Sequence, residues 1–284
     1  MFGGISRSET AAGGPGRALA GVRVVGGVRA QFAARSGQTA VADLRERGGY
    51  RLAMPSTFTT HAEATLVNTG GGVAGGDRVA IDIAVSASAD TVFSTGSAER
   101  VYRSVGDAAT IDITIALAPG ARLDWLPHQT ILFAGSRARR RIDVTMDSTS
   151  RLTMMETLTI GRAASRETAA PVDATDNWRI RCGGRLVFAE SLRLAGDPAE
   201  LMRRPTIAGA RTVAVLVHIA PDAEDRLDAV RGALEDAPRI AAASAWGGLL
   251  SVRFLDARAD AVMAAGGRVI EVLSGRPLPR VWKI

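Results

Sequence analysis

Gly70-Gly71-Gly72-Val73-Ala74-Gly75-Gly76-Asp77 runs directly into Arg78-Val79-Ala80-Ile81-Asp82-Ile83-Ala84-Val85. The glycines satisfy G-x-G-x-x-G, but a dinucleotide fingerprint needs a helix N-terminus behind it to hold the pyrophosphate. Here Val79, Ile81, Ile83 and Val85 alternate with Ala80, Asp82 and Ala84, the period-2 pattern of a half-buried strand. No Gly-Lys-Ser/Thr follows, so a P-loop is excluded as well. What remains is a tight turn of residues without Cβ atoms that delivers one carboxylate, Asp77, into a strand.

The same strand pattern recurs. Ile81-Asp82-Ile83, Ile111-Asp112-Ile113 and Ile142-Asp143-Val144 place their aspartates 30 and 31 residues apart, each in an alternating run. After a short turn each is followed by a second apolar run: Thr91-Val92-Phe93, Leu123-Asp124-Trp125-Leu126 and Leu152-Thr153-Met154-Met155. An imperfect fourth unit joins Trp178-Arg179-Ile180-Arg181-Cys182 to Leu186-Val187-Phe188 through Gly183-Gly184. Such spacing suits stacked units of a β-solenoid, and it equally suits an antiparallel sandwich.

The last third changes character. Thr212 to Ile219 reads as a strand, and Pro221-Asp222 opens a helix with Leu227, Val230 and Leu234 at helical spacing. Leu249 to Leu255 is another strand. A second helix spans Ala257 to Leu273 and is weakened by Gly266-Gly267 near its middle. The division expected is a disordered Gly/Ala/Arg-rich tail over 1–20 and one domain over 21–284, with a β-rich body over 21–200 and an α+β portion over 201–284.

The chain has 284 residues, 46% of them hydrophobic, enough for a substantial core. A single cysteine, Cys182, excludes internal disulfides. The N-terminus lacks the apolar stretch of a signal peptide, and no apolar run reaches the ~18 residues that span a bilayer, so a cytoplasmic protein with no membrane partner is expected. The net charge is +6, with Lys283 the sole lysine. Arg137, Arg139, Arg140 and Arg141 cluster, but aromatic residues are only 5%. Stacking platforms for nucleic acid are therefore missing, and a solvated or partner-facing surface is the reading.

No catalytic constellation is present. His61, His128 and His218 are far apart in sequence; His218 lies in an apolar run as a structural histidine, and His128, in the turn after Trp125-Leu126-Pro127, is the best placed. There is no C-x-x-C, H-E-x-x-H or G-x-S-x-G. The informative class is carboxylates in or beside strands: Asp77, Glu99, Glu156, Glu167 and Glu190. Glu156, within Met154-Met155-Glu156-Thr157-Leu158, must pair with a cation, be hydrated or take a proton. Each of these acids is either one half of an arginine ion pair or part of a wetted path whose oxygens hold a divalent metal weakly.

Five stretches together resemble a known family: Leu66-Val67-Asn68-Thr69 with Gly71 to Arg78; Ser97-Ala98-Glu99-Arg100-Val101-Tyr102-Arg103-Ser104; Leu123 to Ile131; Gly161-Arg162 with Arg166-Glu167; and Leu278-Pro279-Arg280-Val281-Trp282. In this order and spacing the chain resembles the urease accessory protein UreD, called UreH in some systems. That resemblance implies a mainly β, β-helical fold of layered strands with a C-terminal α+β portion carrying two helices. It also implies a non-enzymatic nickel metallochaperone subunit that binds no permanent cofactor. Its implied partners are UreF, the GTPase UreG and apo-urease, in a complex that can be a homodimer. Nickel would cross a polar internal tunnel whose matching positions are Asp77 and Glu190, with Glu156 and Glu99 along the lining. Where many relatives have a histidine and prolines before the glycines, this chain has Asn68 and Thr69. The rival reading is a structural adaptor that clamps partners without carrying metal.

Overall fold

The computed structural model describes residues 23–161, 171–196, 203, 207–235 and 240–283; the expected tail over 1–20, and Arg162, Arg166 and Glu167, lie outside them. Two sheets stack face to face. The outer sheet has seven strands in the order β14 (Arg185–Gly196), β13 (Val172–Cys182), β11 (Arg137–Met146), β8 (Ala109–Leu117), β5 (Arg78–Val85), β1 (Val25–Arg35) and β2 (Gln38–Arg47). The central sheet has β16 (Ile240–Trp246), β17 (Leu249–Asp256), β15 (Thr212–Ile219), β12 (Arg151–Ile160), β9 (Arg122–Leu126), β6 (Asp90–Thr95), β4 (Ala62–Asn68) and β3 (Tyr50–Ala53). The short β7 (Glu99–Val101) and β10 (Thr130–Leu132) extend it beside β12.

Apart from the short β7 and β10, the chain from β4 to β13 passes alternately from one sheet to the other, and successive strands within each sheet are parallel. That is a stacked coil, and it decides for the solenoid over the antiparallel sandwich. Each sheet's environment is written in its strands. The outer sheet faces water on one side, so β8 and β11 alternate buried and accessible positions. The central sheet is covered on both sides, so nine of the ten residues of β12 are buried and burial does not alternate along it; Thr153, Glu156, Thr157 and Thr159 are buried among Leu152, Met154, Met155, Leu158 and Ile160. Between the sheets Phe93 stacks on Trp125, with ring centroids 4.5 Å apart.

The ladder corrects the repeat in two ways. Ile81, Ile113, Ile142 and Trp178 share one row, so successive coils are 32, 29 and 36 residues apart, and Asp112 lies opposite Ala80, not opposite Asp82. The slip is two residues, which leaves every side chain on its expected face. The fourth unit is not a coil. After Gly183 and Gly184, both at positive φ, β14 returns antiparallel along β13 in the same sheet and forms its edge.

Two α-helices, α1 (Leu227–Ala233) and α2 (Ala259–Ser274), cover the far face of the central sheet against Leu216, Val252 and Phe254. A 3-10 turn, Glu224–Arg226, precedes α1, and strand β16 was not anticipated from the sequence. Gly266 and Gly267 do more than weaken α2. A Cβ at Gly266 would lie 2.4 Å from Met155 Sδ, and one at Gly267 would lie 2.8 Å from Leu278 Cδ1. Their absent side chains let the helix settle onto β12 and the C-terminal segment.

His218, on β15, is buried with Nδ1 3.1 Å from Thr153 Oγ1, and burial lowers its pKa to about 4. The unfolded chain therefore binds the proton more tightly, with a pKa near 6.5. Stability is complete above pH 6.5 and falls as pH drops toward 4, by at most about 3 kcal/mol from this group. The expected result is that His218→Gln flattens this slope in denaturation midpoints measured between pH 7.5 and 4.5.

Candidate functional site

The glycine run joins β4 in the central sheet to β5 in the outer sheet. A Cβ on Gly72 would lie 2.6 Å from the Arg100 carbonyl oxygen and 2.5 Å from the Tyr102 ring, so the turn threads close beneath that segment. Val73 pairs with it there, donating its N–H to the Arg100 carbonyl and accepting from the Tyr102 N–H. The run ends on Asp77, whose two carboxylate oxygens accept the N–H groups of Val24 (2.9 Å) and Ala74 (2.8 Å). Asp77 is buried and acts as a clip between the turn and the start of β1.

Inside the turn lies a first polar group. Asn68 Nδ2 donates to both Glu99 oxygens (3.1 and 3.2 Å) and to Tyr50 Oη (3.0 Å), and Tyr50 Oη lies 3.5 Å from Glu99 Oε2. Burial raises the Glu99 pKa, and burial followed by the Glu99 charge raises that of Tyr50. Asn68 thus stands as a neutral donor beside a carboxylate.

Further in, a second group joins the sheets. Arg140, on β11, donates from Nε and Nη2 to the two oxygens of Asp176 on β13 (2.8 and 2.6 Å) and from Nη1 to Glu156 on β12 (2.6 Å). Trp125 Nε1 donates to the other Glu156 oxygen at 2.7 Å. All three charged residues are buried. One guanidinium faces two carboxylates, and burial raises the Glu156 pKa against the opposing pull of Arg140. A cavity of about 50 Å³ connects the two groups; Tyr50, Glu99, His128, Thr130, Arg140 and Glu156 are among its lining residues. Burial lowers the His128 pKa.

At the opposite margin Glu190, on β14, forms an ion pair with Arg253 of β17. Arg253 shares a cross-strand row with Val215 and Glu156, and Glu190 lies opposite Trp178. Of the acids expected from sequence, Glu99 and Glu156 line one cavity in the seam between the sheets; Asp77 holds the turn beside it, and Glu190, which shares the inward parity of Phe188 on β14, is paired with Arg253 outside that lining. Glu156 and Glu190 are both held by guanidinium groups. Among the described residues no three His, Cys, Asp or Glu side chains converge as a closed metal cage.

Sequence reasoning missed Tyr50, Arg140 and Asp176. Arg140 was grouped with its neighbours as a surface cluster, yet it has the same parity as Ile142, Val144 and Met146, which point inward. Asp176 likewise shares parity with Trp178 and Ile180. The signal was the strand period. Arg139 and Arg141 take the other face, where they meet Asp173 and Asp143.

The C-terminal segment closes over the seam. Trp282 Nε1 donates to the Leu126 carbonyl at 2.9 Å, its ring lies against His128, and His128 Nε2 lies 3.0 Å from the Val281 carbonyl oxygen. Two of the stretches that carried the resemblance, Leu123 to Ile131 and Leu278 to Trp282, are thus in contact.

Comparison with known proteins agrees with the resemblance. A family model described as UreD urease accessory protein matches residues 24–283. The chain is 44% identical over 253 residues to the urease accessory protein UreD of Methylobacterium sp. (strain 4-46), covering 87% of this chain and 90% of that one. It is 39% identical over 263 residues to UreD of Azorhizobium caulinodans, covering 92% and 97%. It is 44% identical over 254 residues to UreD 2 of Methylorubrum populi, covering 88% and 86%.

Proposed function

Because the chain belongs to the UreD family of urease accessory proteins, we propose that it is a non-enzymatic subunit that helps deliver nickel to apo-urease along the inter-sheet seam. It does so in the cytoplasm, in complex with UreF and the GTPase UreG. The observation that carries this reading is the alignment of Glu99, Glu156 and Glu190 on inward-facing positions of the stacked sheets. Hard carboxylate oxygens shared with water and guanidinium groups hold a divalent ion loosely enough to release it, whereas a closed thiolate cage retains it. Around Arg140 two carboxylates share one positive charge, which leaves a buried excess of negative charge for a passing cation to offset. Asp77 serves this path by holding the turn, since both its oxygens are occupied by backbone N–H groups.

The guanidinium pairs of Glu156 and Glu190 favour one rival, the metal-free adaptor in which these residues only anchor the sheets. Loading of apo-urease by the reconstituted complex separates the two. Glu99→Gln with Glu190→Gln is expected to reduce the nickel content of urease, measured by atomic absorption, on the order of tenfold while complex assembly is unchanged. Full loading by that variant in an intact complex would leave the adaptor as the function.

A further inference from the structure

The three histidines are in different situations. His61 faces Glu63 at 3.7 Å, and His218 contacts Thr153. His128 alone lines the seam cavity, together with Glu99 and Glu156. Its Nε2 lies 3.0 Å from the carbonyl oxygen of Val281. A carbonyl can only accept, so Nε2 carries the proton and the neutral ring has its lone pair on Nδ1. Nδ1 has no hydrogen-bond partner among the described residues and is not sealed from solvent.

This is the arrangement a ligating histidine requires: one nitrogen donates to a backbone carbonyl, which fixes the tautomer and ring direction and raises the basicity of the other. The Trp282 ring, at a centroid distance of 5.9 Å and 23° from coplanar, holds the imidazole plane. The cavity of about 50 Å³ is several times the space a single water needs, so an ion enters with part of its water shell. Imidazole nitrogen suits nickel better than carboxylate alone.

Resting on the nickel-passage reading, we propose that His128 is a nitrogen ligand of the seam. Its Nδ1 takes the divalent cation beside the Glu99 carboxylate, and the C-terminal segment Arg280–Lys283 sets the tautomer. Sequence distance hides this relation, because His128 and Val281 lie 153 residues apart.

The test uses the full, tag-free chain carrying His61→Ala, with Cu²⁺ as a spin probe and Ni²⁺ for affinity. Pulsed EPR of the Cu²⁺ form is expected to show the remote nitrogen of one imidazole, and His128→Gln is expected to abolish it. Glutamine retains an N–H donor for the Val281 carbonyl, and an unchanged melting temperature confirms that the fold is kept. Ni²⁺ affinity should fall on the order of tenfold in the same variant. An imidazole signal that persists in His128→Gln overturns the assignment. So does an unchanged Ni²⁺ affinity in that variant while Glu99→Gln weakens binding, in which case the passage itself stands. Absence of Ni²⁺ binding by the parent chain, with full urease loading by the seam variants, overturns the passage reading and this assignment together.

Discussion

Arg140→Met is expected to destabilise the protein by about 3–5 kcal/mol, the range for removing one partner of a buried charge cluster. The guanidinium bridges the outer and central sheets through Asp176 and Glu156, at 2.6–2.8 Å. Methionine fills similar volume, so the loss is electrostatic: two carboxylates stay buried, deprived of their common donor. For a chain of this size the melting temperature should drop by roughly 10 °C. The pH dependence identifies the cause. Burial already raises Glu156 above its ordinary pKa, and without the opposing pull of Arg140 it rises further. The folded form then binds a proton that the unfolded form has released, so the variant recovers stability as pH falls through the raised Glu156 value and is weakest above it. Adding Glu156→Gln and Asp176→Asn should restore most of the loss at pH 7. A variant as stable as the parent at neutral pH would show that water already compensates these carboxylates.

Gly72→Ala is the second large effect, at about 3 kcal/mol. The new methyl would lie 2.6 Å from a backbone carbonyl and 2.5 Å from an aromatic ring, and neither can withdraw without breaking the pairing of Val73 with Val101 and Tyr102. Gly71 is the control. Its φ is +76°, but only Tyr102 Oη comes near its Cβ position, at 3.9 Å, so Gly71→Ala costs only the left-handed backbone penalty of about 1 kcal/mol. Urea denaturation of both variants distinguishes contact from conformation. Equal losses would mean that Gly72 matters for its dihedral angles alone.

The candidate site was only half legible. Glu99, Glu156 and Glu190 could be singled out because acids in apolar strands need partners, but the partners themselves lie elsewhere in sequence. Arg140 is 16 residues from Glu156 and 36 from Asp176, and Arg253 is 63 from Glu190. The resemblance implies Asp77 as a position on the metal path; that its oxygens accept the N–H groups of Val24 and Ala74, at opposite ends of a connection that only folding closes, is not legible in the sequence.

By itself the sequence determined the strand period, the switch to two C-terminal helices, the exclusion of a nucleotide site, and the family. These are local properties, fixed by spacing within ten or twenty residues and by ordered short motifs. Tertiary structure alone decided that the middle coil slips by two residues, that β14 turns back to form an edge, that Arg140 faces inward while Arg139 and Arg141 do not, and that the C-terminal segment reaches His128. The physical reason is that a period of two assigns residues to a face but leaves open which sheet covers that face and in which register. Those are set by contacts between distant strands, whose pairing depends on turn geometry and on the core volume they share.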